Sequence, residues 1–373
     1  MILQVEKFQE ACRCIANAVD TDSALKNVAF NDKVELVASN KELNLNVTNG
    51  EYYVTVALPL DSDDSFKAVV EAKLFLALIS KVTTKTVELT TTDNALIVKA
   101  NGTYKFPLIF DVDSLIVLPK IVISNPTSTF AVSSDILASI LNNNTREVNT
   151  ESAKKYHRYY YLDSEGCLTF KSTASACVNN FTMPTSVKLM LPPKLVKLFK
   201  LFKSGDVNAT LGFEDVSGVA QTRVKFEQDS VTVTSILQND QSLISSVPAA
   251  AIRNVANQTF DNTVSFDKKD FLDAIDRLLL LDTNVSINKG LGSLDFSETC
   301  VTLHDHRRIN SEVIAFTSGS VVTPCTFNLD LIAVKEILLT TDSQVFNLSF
   351  GSTKAVVISF FGVKNVMAQR EIK

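Results

Sequence analysis

Four lysines at three-residue spacing mark the stretch of this chain with the clearest chemistry. On a helical wheel they fill the half opposite to four apolar side chains. The lysines are Lys194, Lys197, Lys200 and Lys203, and the apolar residues are Leu195, Leu198, Phe199 and Phe202. No carboxylate lies within 190–203, so the like charges repel one another unless a polyanion neutralises them. The pattern predicts an amphipathic helix, entered at Pro192 and Pro193, that either attracts phosphate groups or is only a solvated face.

Residues suited to catalysis or metal binding are few. Two of the three histidines lie in His304-Asp305-His306, where a strand would place both rings on one side. No third ligand follows at zinc-site spacing, and the six cysteines form no CxxC pair, which favours buried reduced thiols. The chain has no Walker, GxGxxG or GxSxG loop, and Gly290 and Gly292 lack the third glycine of a dinucleotide loop. We therefore predict no catalytic residue, metal, cofactor or enzymatic activity.

Composition limits the possible classes of protein. At 373 residues, 46% of them apolar, the chain is long enough for two or three domains. Phenylalanine is frequent and tryptophan absent, and many Val, Ile and Thr residues favour strands. The net charge of −5 argues against a uniformly basic nucleic-acid binder, but it allows positive charge to gather on one surface. The start of the chain does not read as a signal peptide and no stretch reaches about 18 apolar residues, which predicts a cytosolic protein without membrane contact.

The periodicity predicts a module in which a strand feeds a helix and hairpins follow. A short strand ends at Val5, where helical spacing begins. Alternating strands come next, with turns at Asn40-Lys41 and Asn49-Gly50, and Asn-Gly between such strands is a strong hairpin signal. The plan repeats over residues 67–110.

This module returns along the chain. Matching strand-helix segments, 127 and 132 positions apart, include Val5, Val132 and Val264. The second half-module recurs at 66–79, 187–199 and 326–338. We predict three tandem domains of two modules each, with bounds 1–118, 119–253 and 254–373, because the periodic patterns lapse near 119–127 and 248–259. Helices at only the six module starts make the fold class α+β, with the helices collected on one face of the sheets.

Further cations occupy helix positions away from the predicted cores, whereas acidic residues gather in loops such as 61–64 and 214–215. These cations are Lys7, Arg13, Lys73, Lys81, Arg277 and Lys335. A basic helical face with acidic loops elsewhere reconciles the negative net charge with binding of a polyanion.

Three local runs add to the repeat: 159–162 after a basic loop, 327–331 at the last module, and 366–370. With the opening strand-helix segment, they make the whole chain resemble the bacterial-type β sliding clamp, the DNA polymerase III β subunit, in a divergent or phage-encoded form. The resemblance implies three clamp domains with helices inside and sheets outside, closing as a head-to-tail homodimeric ring. It further implies a processivity factor for DNA replication that encircles duplex DNA without reading its sequence.

The resemblance also implies partners and a location. The partners are the replicative DNA polymerase, a clamp loader and other proteins with a clamp-binding motif. The location is the cytoplasm or nucleoid of a bacterium, or an infected host's cytoplasm. The alternative is a non-encircling scaffold or decoy that binds clamp partners without sliding on DNA, and the lysine stretch argues against it.

The predicted DNA contacts combine the basic helices with one loop. They are Lys194, Lys197, Lys200, Lys203, Lys73, Lys81, Arg13, Arg277, Lys154, Lys155, Arg158 and Tyr160. In the loop, cations stand beside rings that could stack on exposed bases. The other interpretation of the loop is an exposed hairpin tip followed by a buried tyrosine strand.

The resemblance implies one more site, a hydrophobic pocket between the second and third domains that takes a short peptide. Matching by motif places around it Leu162, Thr173, Ser175, Val178, Val247, Pro248, Asn328, Leu331, Val366, Met367 and Arg370. The chain departs from the family here. Residues 174–177 read Ala-Ser-Ala-Cys where Asp-Gly-His-Arg is common, Ala368 replaces a proline, and Leu331 replaces an aromatic residue. We therefore expect a different peptide preference.

Overall fold

The computed structural model describes residues 1–20, 30–216, 218–281 and 290–370. Within them the chain is α+β, with antiparallel sheets and short helices, as the sequence predicts. None of the described helices combines the length and apolar character that crossing a membrane requires. The α-helices are α1 (Val5–Ala16), α2 (Ala72–Ile79), α3 (Ser134–Ser139), α4 (Pro193–Val196), α5 (Gln241–Ser245), α6 (Ala249–Asn257), α7 (Lys268–Leu281) and α8 (Leu331–Leu338).

Strands make up most of the remaining regular structure. Those before α4 are β1 (Ile2–Gln4), β2 (Lys33–Ser39), β3 (Glu42–Thr48), β4 (Tyr52–Pro59), β5 (Phe66–Glu71), β6 (Thr86–Thr91), β7 (Ala95–Lys99), β8 (Thr103–Pro107), β9 (Phe110–Asp111), β10 (Ser114–Leu115), β11 (Asn125–Ser133), β12 (Tyr160–Asp163), β13 (Gly166–Ser172), β14 (Ser175–Asn180) and β15 (Leu189–Leu191). Those after it are β16 (Asp206–Val216), β17 (Val219–Gln228), β18 (Val231–Ile236), β19 (Asn262–Asp267), β20 (Leu291–Phe296), β21 (Cys300–Asp305), β22 (Ser311–Ala315), β23 (Cys325–Asp330), β24 (Val345–Phe350), β25 (Ala355–Phe360) and β26 (Val363–Ala368).

The chain forms two compact units that do not follow the sequence in series. Unit 1 comprises Met1–Asp135 and Lys194–Gln238, and unit 2 comprises Ile136–Pro193 and Asn239–Lys373. The middle of the chain is thus divided between the units, because its strands pair with strands of both chain ends. The division at 118 and 253 into three domains stays a prediction.

Unit 1 contains an eight-stranded sheet and a four-stranded sheet. Their strand orders are β11-β16-β17-β18-β4-β3-β2-β5 and β1-β6-β7-β8. Helices α1 and α2 pack through Phe8 and Phe75, whose ring centroids lie 6.2 Å apart in an edge-on arrangement. The hydroxyl of Tyr52 on β4 donates a 2.6 Å hydrogen bond to the carbonyl of Ala18, just after α1, so this side of β4 faces the helix. Strand β18 pairs antiparallel with β4 and so joins distant segments of the chain.

Unit 2 repeats this plan. Its strand orders are β15-β12-β13-β14-β26-β25-β24-β19 and β22-β21-β20-β23. Helices α7 and α8 are bridged by an ion pair between Asp276 and Lys335. Phenylalanines fill the core below them, with the rings of Phe271 and Phe346 5.1 Å apart. Strand β14 pairs with β26, so the sheet joins a middle segment of the chain to its last strand.

The predicted hairpin turns are confirmed. Asn40 and Lys41 both have positive φ, 51° and 60°, as a two-residue turn between β2 and β3 requires. Gly50 has φ 86°, and Asn49 accepts hydrogen bonds from the backbone N–H groups of Glu51 and Tyr52. Local turn chemistry therefore sets the register of the first sheet.

Helices begin at all six predicted module starts, but the lysine-rich stretch differs from a regular α-helix. After one α-turn in α4, it continues as a 3₁₀ helix over Lys197–Leu201, and Phe202 is already extended. A 3₁₀ helix has three residues per turn, so Lys197 and Lys200, the two lysines within it, lie one above the other. Leu201 and Phe202 are both buried, although Phe202 already lies beyond the end of the helix.

Helix α6 is a correction to the expectation that the periodic pattern lapses near 248–259. It begins directly after Pro248 with three alanines, which are strong helix formers. Ile252, Val255 and Ala256 then place apolar groups on one face. A proline before a run of alanines is a helix-start signal. The sequence contains this signal at Pro248, but the prediction of three domains did not use it.

Candidate functional site

The lysine-rich stretch lies in unit 1 apart from its first residues, and its four lysines have different surroundings. Lys194 lies 3.2 Å from Asp20 and 3.7 Å from Glu51, and Lys203 pairs with Glu10. The hydrogen bond with Glu10 raises the pKa of Lys203 above its ordinary value. No carboxylate lies within the stretch itself, but carboxylates distant in the sequence come close to two of its lysines in the fold. Lys197 and Lys200 are exposed and form no ion pair with any described residue.

The other predicted DNA-binding cations divide in the same way. Arg13, Lys73 and Lys81 are exposed on or beside α1 and α2. Arg277 on α7 instead makes a two-pronged ion pair with Glu312, at 2.7 and 3.1 Å. The hydrogen bond to Glu312 raises the pKa of Arg277. Its guanidinium is therefore engaged within unit 2, whereas the cations beside α1 and α2 face solvent.

The loop before β12 has an exposed tip beside a buried tyrosine strand. Lys154 and Lys155 are exposed, and the Nε of Arg158 donates to the carbonyl of Ser152 at 2.7 Å. Tyr160, in contrast, is 1% exposed, and its hydroxyl donates to Oγ1 of Thr145 at 3.0 Å. The prediction that Tyr160 binds DNA is wrong, because a ring at this depth in a sheet cannot stack on a base.

A groove of about 540 Å³ lies in unit 2, on the strand pair that joins β14 to β26. Five of the predicted pocket residues line it: Thr173, Ser175, Pro248, Val366 and Met367. The sequence did not predict the other lining residues, which are Lys154, Tyr156, Phe170, Ser172, Ala174, Ala176, Ile252, Val255, Lys354, Ala355 and Ala368. Apart from two lysines and a few hydroxyl groups, the lining is apolar.

Four adjacent strands form the floor of the groove. β13 pairs with β14, β14 with β26, and β26 with β25. Within this order Ser175 lies opposite Met367, and Met367 lies opposite Val356. Helix α6 packs against β14 and β26 and forms one wall. A cleft with an apolar floor beside a helix is suited to a short segment of another protein.

The remaining predicted pocket residues do not line the groove. Val178 and Val247 belong to the hydrophobic cluster beside it, with Tyr161. Leu162 follows Tyr161 along β12 and so points to the opposite face of the sheet. Leu331 is buried in the core with α7 and α8. Arg370 is exposed, and its N–H donates to the carbonyl of Asn328 at 2.8 Å.

A buried ion pair holds α6 in place. The two terminal nitrogens of Arg253 donate to the two carboxylate oxygens of Asp163 at 2.8 and 2.6 Å. Both side chains are only 9% exposed. A two-pronged pair of this kind fixes orientation as well as distance, so α6 is tied to the end of β12.

The histidine cluster has a structural role. His304 lies 3.1 Å from Asp295. Asp305 accepts backbone hydrogen bonds from Ile309 and Asn310 and so stabilises the turn before β22. All six cysteines are free, and burial raises the pKa of the Cys167 and Cys177 thiols. No group of metal ligands is found among the residues the structure describes.

Solved structures that share this fold include DNA polymerase sliding clamps. The DNA polymerase III β subunit from Pseudomonas aeruginosa superposes with a TM-score of 0.82 at 12% identity, covering 100% of this chain and 99% of that one. The β subunit from Streptococcus pyogenes (0.80, 14% identity) covers 99% of both chains, and the Bacillus subtilis clamp (0.78, 14%) covers 100% of this chain and 99% of its own. No family model and no curated protein matches the chain. The chain has the sliding-clamp fold throughout its length.

Proposed function

We propose that this protein is a DNA sliding clamp, a non-enzymatic ring that encircles duplex DNA and tethers the replicative polymerase and other partners. The observation that carries the proposal is the full-length likeness to polymerase sliding clamps at TM-scores up to 0.82. A ring holds DNA by topology and needs only weak contacts with phosphate groups, so base-reading residues are unnecessary. The exposed cations Arg13, Lys73, Lys81, Lys197 and Lys200 are suited to such contacts.

Ring closure would require two copies of this chain. One edge strand of each four-stranded sheet is five residues long and has no further strand paired to it among the described residues: β8 in unit 1 and β22 in unit 2. Head-to-tail pairing of β8 in one copy with β22 in the next satisfies both edges and closes after two copies. Val313 on β22 is 67% exposed and would be covered in that contact. Three domains per chain, with bounds at 118 and 253, belong to the same proposal.

The groove of unit 2 supplies the tether. An apolar cleft next to a helix can hold a short peptide of a polymerase, a loader or another partner while the ring stays on DNA. One groove per chain would give a dimer two docking sites, so that one partner can replace another without release of the ring.

The test is retention on circular DNA. The protein is loaded onto nicked circles by its cognate loader, isolated with them, and the circles are then cut once. A sliding ring leaves after cutting, because an end abolishes the topological hold. Retention on the linear product, or a mass of one 40.9 kDa chain in solution under all conditions, contradicts the proposal.

Charge variants test the basic stretch in the same assay. Lys197→Glu with Lys200→Glu should lower loading several-fold, since two exposed cations become anions. Lys41→Glu with Lys120→Glu is the control, because these exposed lysines lie in a hairpin turn and a linker and give the same change in charge. A non-encircling scaffold, the alternative, would bind partner peptides but be insensitive to both the cut and the Lys197 and Lys200 changes.

A further inference from the structure

Strand β1 has an open edge on the side that faces away from β6. Met1 and Leu89 exchange backbone hydrogen bonds, and the N–H of Val5 donates to the carbonyl of Lys85. Because antiparallel pairing alternates, the backbone N–H and C=O of Ile2, which lies between these bonds, point away from β6. Neither group has a hydrogen-bond partner among the described residues.

A cavity of about 600 Å³ lies beside β1 in unit 1. Its lining includes Ile2, Phe8 of α1 and the segment 58–61 at the end of β4. Phe8 and Leu60 are buried and supply apolar surface, whereas Asp61 is exposed. The cavity therefore lies between β1 and the chain that follows β4. Its volume is within the range of about 300–1,000 Å³ that is usual for ligand sites.

Unit 2 contains an internal copy of this arrangement. Strand β19 precedes α7 and pairs with β24, as β1 precedes α1 and pairs with β6. The N–H of Lys268, the first residue of α7, donates to the carbonyl of Gln344, and the first residue of α1 makes the corresponding bond. Ser265, three positions before the start of α7, is therefore the counterpart of Ile2, three positions before the start of α1.

In unit 2 the chain itself occupies the corresponding edge. The N–H of Ser265 donates to the carbonyl of Ser318 at 2.9 Å, and the N–H of Thr317 donates to the carbonyl of Ser265 at 2.8 Å. Gly319 lies so close to β19 that a Cβ there would approach the carbonyl oxygen of Thr263 to 2.5 Å. An antiparallel segment of the loop after β22 thus covers the edge of β19.

The loop after β4 leaves the edge of β1 open in unit 1. Six residues, 60–65, join β4 to β5, whereas nine residues, 316–324, join β22 to β23. The N–H of Leu60 donates to the carbonyl of Lys41 at 2.8 Å, which holds the start of the shorter loop beside the turn between β2 and β3. The space that an extended segment fills in unit 2 is therefore left as a cavity in unit 1.

We propose that β1 and this cavity form a second docking site, which takes an extended segment of a partner protein as an added antiparallel strand. The backbone of that segment pairs with the N–H and C=O of Ile2, and one of its apolar side chains packs on Phe8 and Leu60. A neighbouring basic residue pairs with Asp61 or Asp63, which are exposed and form no ion pair with any described residue. The site is separate from the groove of unit 2, so the inference goes beyond the proposed function.

The charges around the cavity disfavour two other occupants. Nucleic acid would bring phosphate groups against the aspartates of the loop, which are Asp61, Asp63 and Asp64. A second copy of this chain, pairing β1 with β1, would bring two such loops together and add like-charge repulsion. Lys7 lines the cavity on the side of α1, so the basic residue of the partner is placed at the loop side.

Fluorescence anisotropy with capped, labelled peptides tests the proposal on the full-length protein. The first peptide, Lys-Phe-Thr-Ser-Gly-Lys, copies residues 316–319 and adds a lysine at each end. The second carries an N-methyl group on its threonine, which removes the N–H that donates to Ile2, and it should bind roughly three- to tenfold more weakly. The third has glutamine in place of both lysines and should bind about two- to fivefold more weakly at low salt.

Protein variants locate the bound peptide. Ile2→Pro removes the outward N–H without affecting the bonds to β6, because an edge strand tolerates proline. It should weaken binding of the first peptide several-fold, whereas Ile2→Thr, which keeps the N–H, should not. Asp61→Asn with Asp63→Asn should remove the advantage of the first peptide over the third. Asp111→Asn with Asp113→Asn, exposed aspartates elsewhere in unit 1, is the control of equal charge and should keep that advantage.

Several outcomes overturn the inference. Equal affinities of the first and the N-methyl peptide do so without any change to the protein, and so does no binding of the first peptide. Displacement of that peptide by a short oligothymidylate would identify nucleic acid as the occupant instead. A mass that rises with concentration in the unsubstituted protein but not in Ile2→Pro would identify a second copy. Release from cut circular DNA depends on none of these results, so the proposed function is tested separately.

Discussion

The two eight-stranded sheets join distant chain segments in the same way, yet they are covered differently at the join. In unit 1 the pair is β18 and β4, where Tyr53 points away from α1 because the preceding Tyr52 faces it. Leu118 and Ile121 belong to the linker 116–124, which follows β10. They pack on Tyr53 and cover this face of the sheet. In unit 2 the pair is β14 and β26, and the corresponding face carries the open groove.

The linkers account for the difference. In unit 1, residues 116–124 run extended across the sheet, and the guanidinium of Arg223 donates to the carbonyl of Val122. In unit 2, the linker 239–261 instead forms the helices α5 and α6. A helix is about 10 Å wide and cannot lie flat as an extended chain does, so it stands beside the sheet and leaves a cleft. The corresponding face of the sheet is therefore covered where the linker is extended and carries a groove where the linker forms helices.

The largest expected effect comes from releasing α6. Arg253→Met leaves the Asp163 carboxylate buried without its partner, which should destabilise unit 2 by roughly 3–5 kcal/mol and abolish peptide binding in the groove. Hydrogen exchange of residues 249–257, thermal unfolding and peptide titration measure it. Arg223→Met in unit 1 is the matched control and should loosen the linker 116–124 while sparing the groove. Unchanged protection of α6 in Arg253→Met would show that the ion pair does not hold the helix.

An intermediate effect is expected from uncovering the sheet face of unit 1 that Leu118 covers. Leu118 is 2% exposed and covers Tyr53, so Leu118→Ala should cost about 2–4 kcal/mol and uncover the tyrosine ring. Val117→Ala is the control, since Val117 is 68% exposed and its truncation should change stability by less than about 0.5 kcal/mol. Chemical denaturation reports the free energy, and tyrosine fluorescence quenching reports exposure. Equal losses in the two variants would contradict the view that Leu118 seals this face.

The smallest effect concerns a buried carboxyl below each face. Glu147 is 1% exposed and accepts a hydrogen bond from Ser175 of the groove at 2.7 Å. Burial raises the pKa of Glu147, so the folded protein holds this proton to a higher pH than the unfolded chain does. Its contribution to stability is therefore present at low pH and is lost as pH rises from about 4.5 through the raised pKa. A glutamine cannot titrate, so the thermal midpoint of Glu147→Gln should fall less than that of the unsubstituted protein as pH rises above about 4.5.

Unit 1 offers the comparison for this carboxyl. Glu35 lies below Tyr53 and is paired with Lys67 at 2.8 Å, so Glu35→Gln removes an ion pair and should lower the midpoint at neutral pH. A higher thermal midpoint for Glu147→Gln and a lower one for Glu35→Gln at neutral pH would show that the two carboxyl groups have different electrostatic surroundings. Parallel pH profiles of Glu147→Gln and the unsubstituted protein would instead show that this carboxyl does not titrate over that range.

The sequence by itself determined the features that depend on neighbouring residues. Asn40, Lys41 and Gly50 specify tight turns through their backbone preferences, and those turns fix the strand registers. Apolar periodicity located the six module helices, and their repetition pointed to the clamp architecture that the structural neighbours share. Such signals act within about one turn or one hairpin, so no tertiary information is needed to interpret them.

Only the tertiary structure decided which charges remain available and where the groove forms. Lys203 and Glu10 are 193 positions apart, yet they pair, and Lys154 reaches the groove although its basic surroundings suggested DNA. Tyr160 is only 1% exposed, and its hydroxyl donates to Oγ1 of Thr145, a residue 15 positions earlier. The physical reason is common to these cases. The environment of a side chain depends on groups that the fold brings together from distant positions, and no local pattern states which they are.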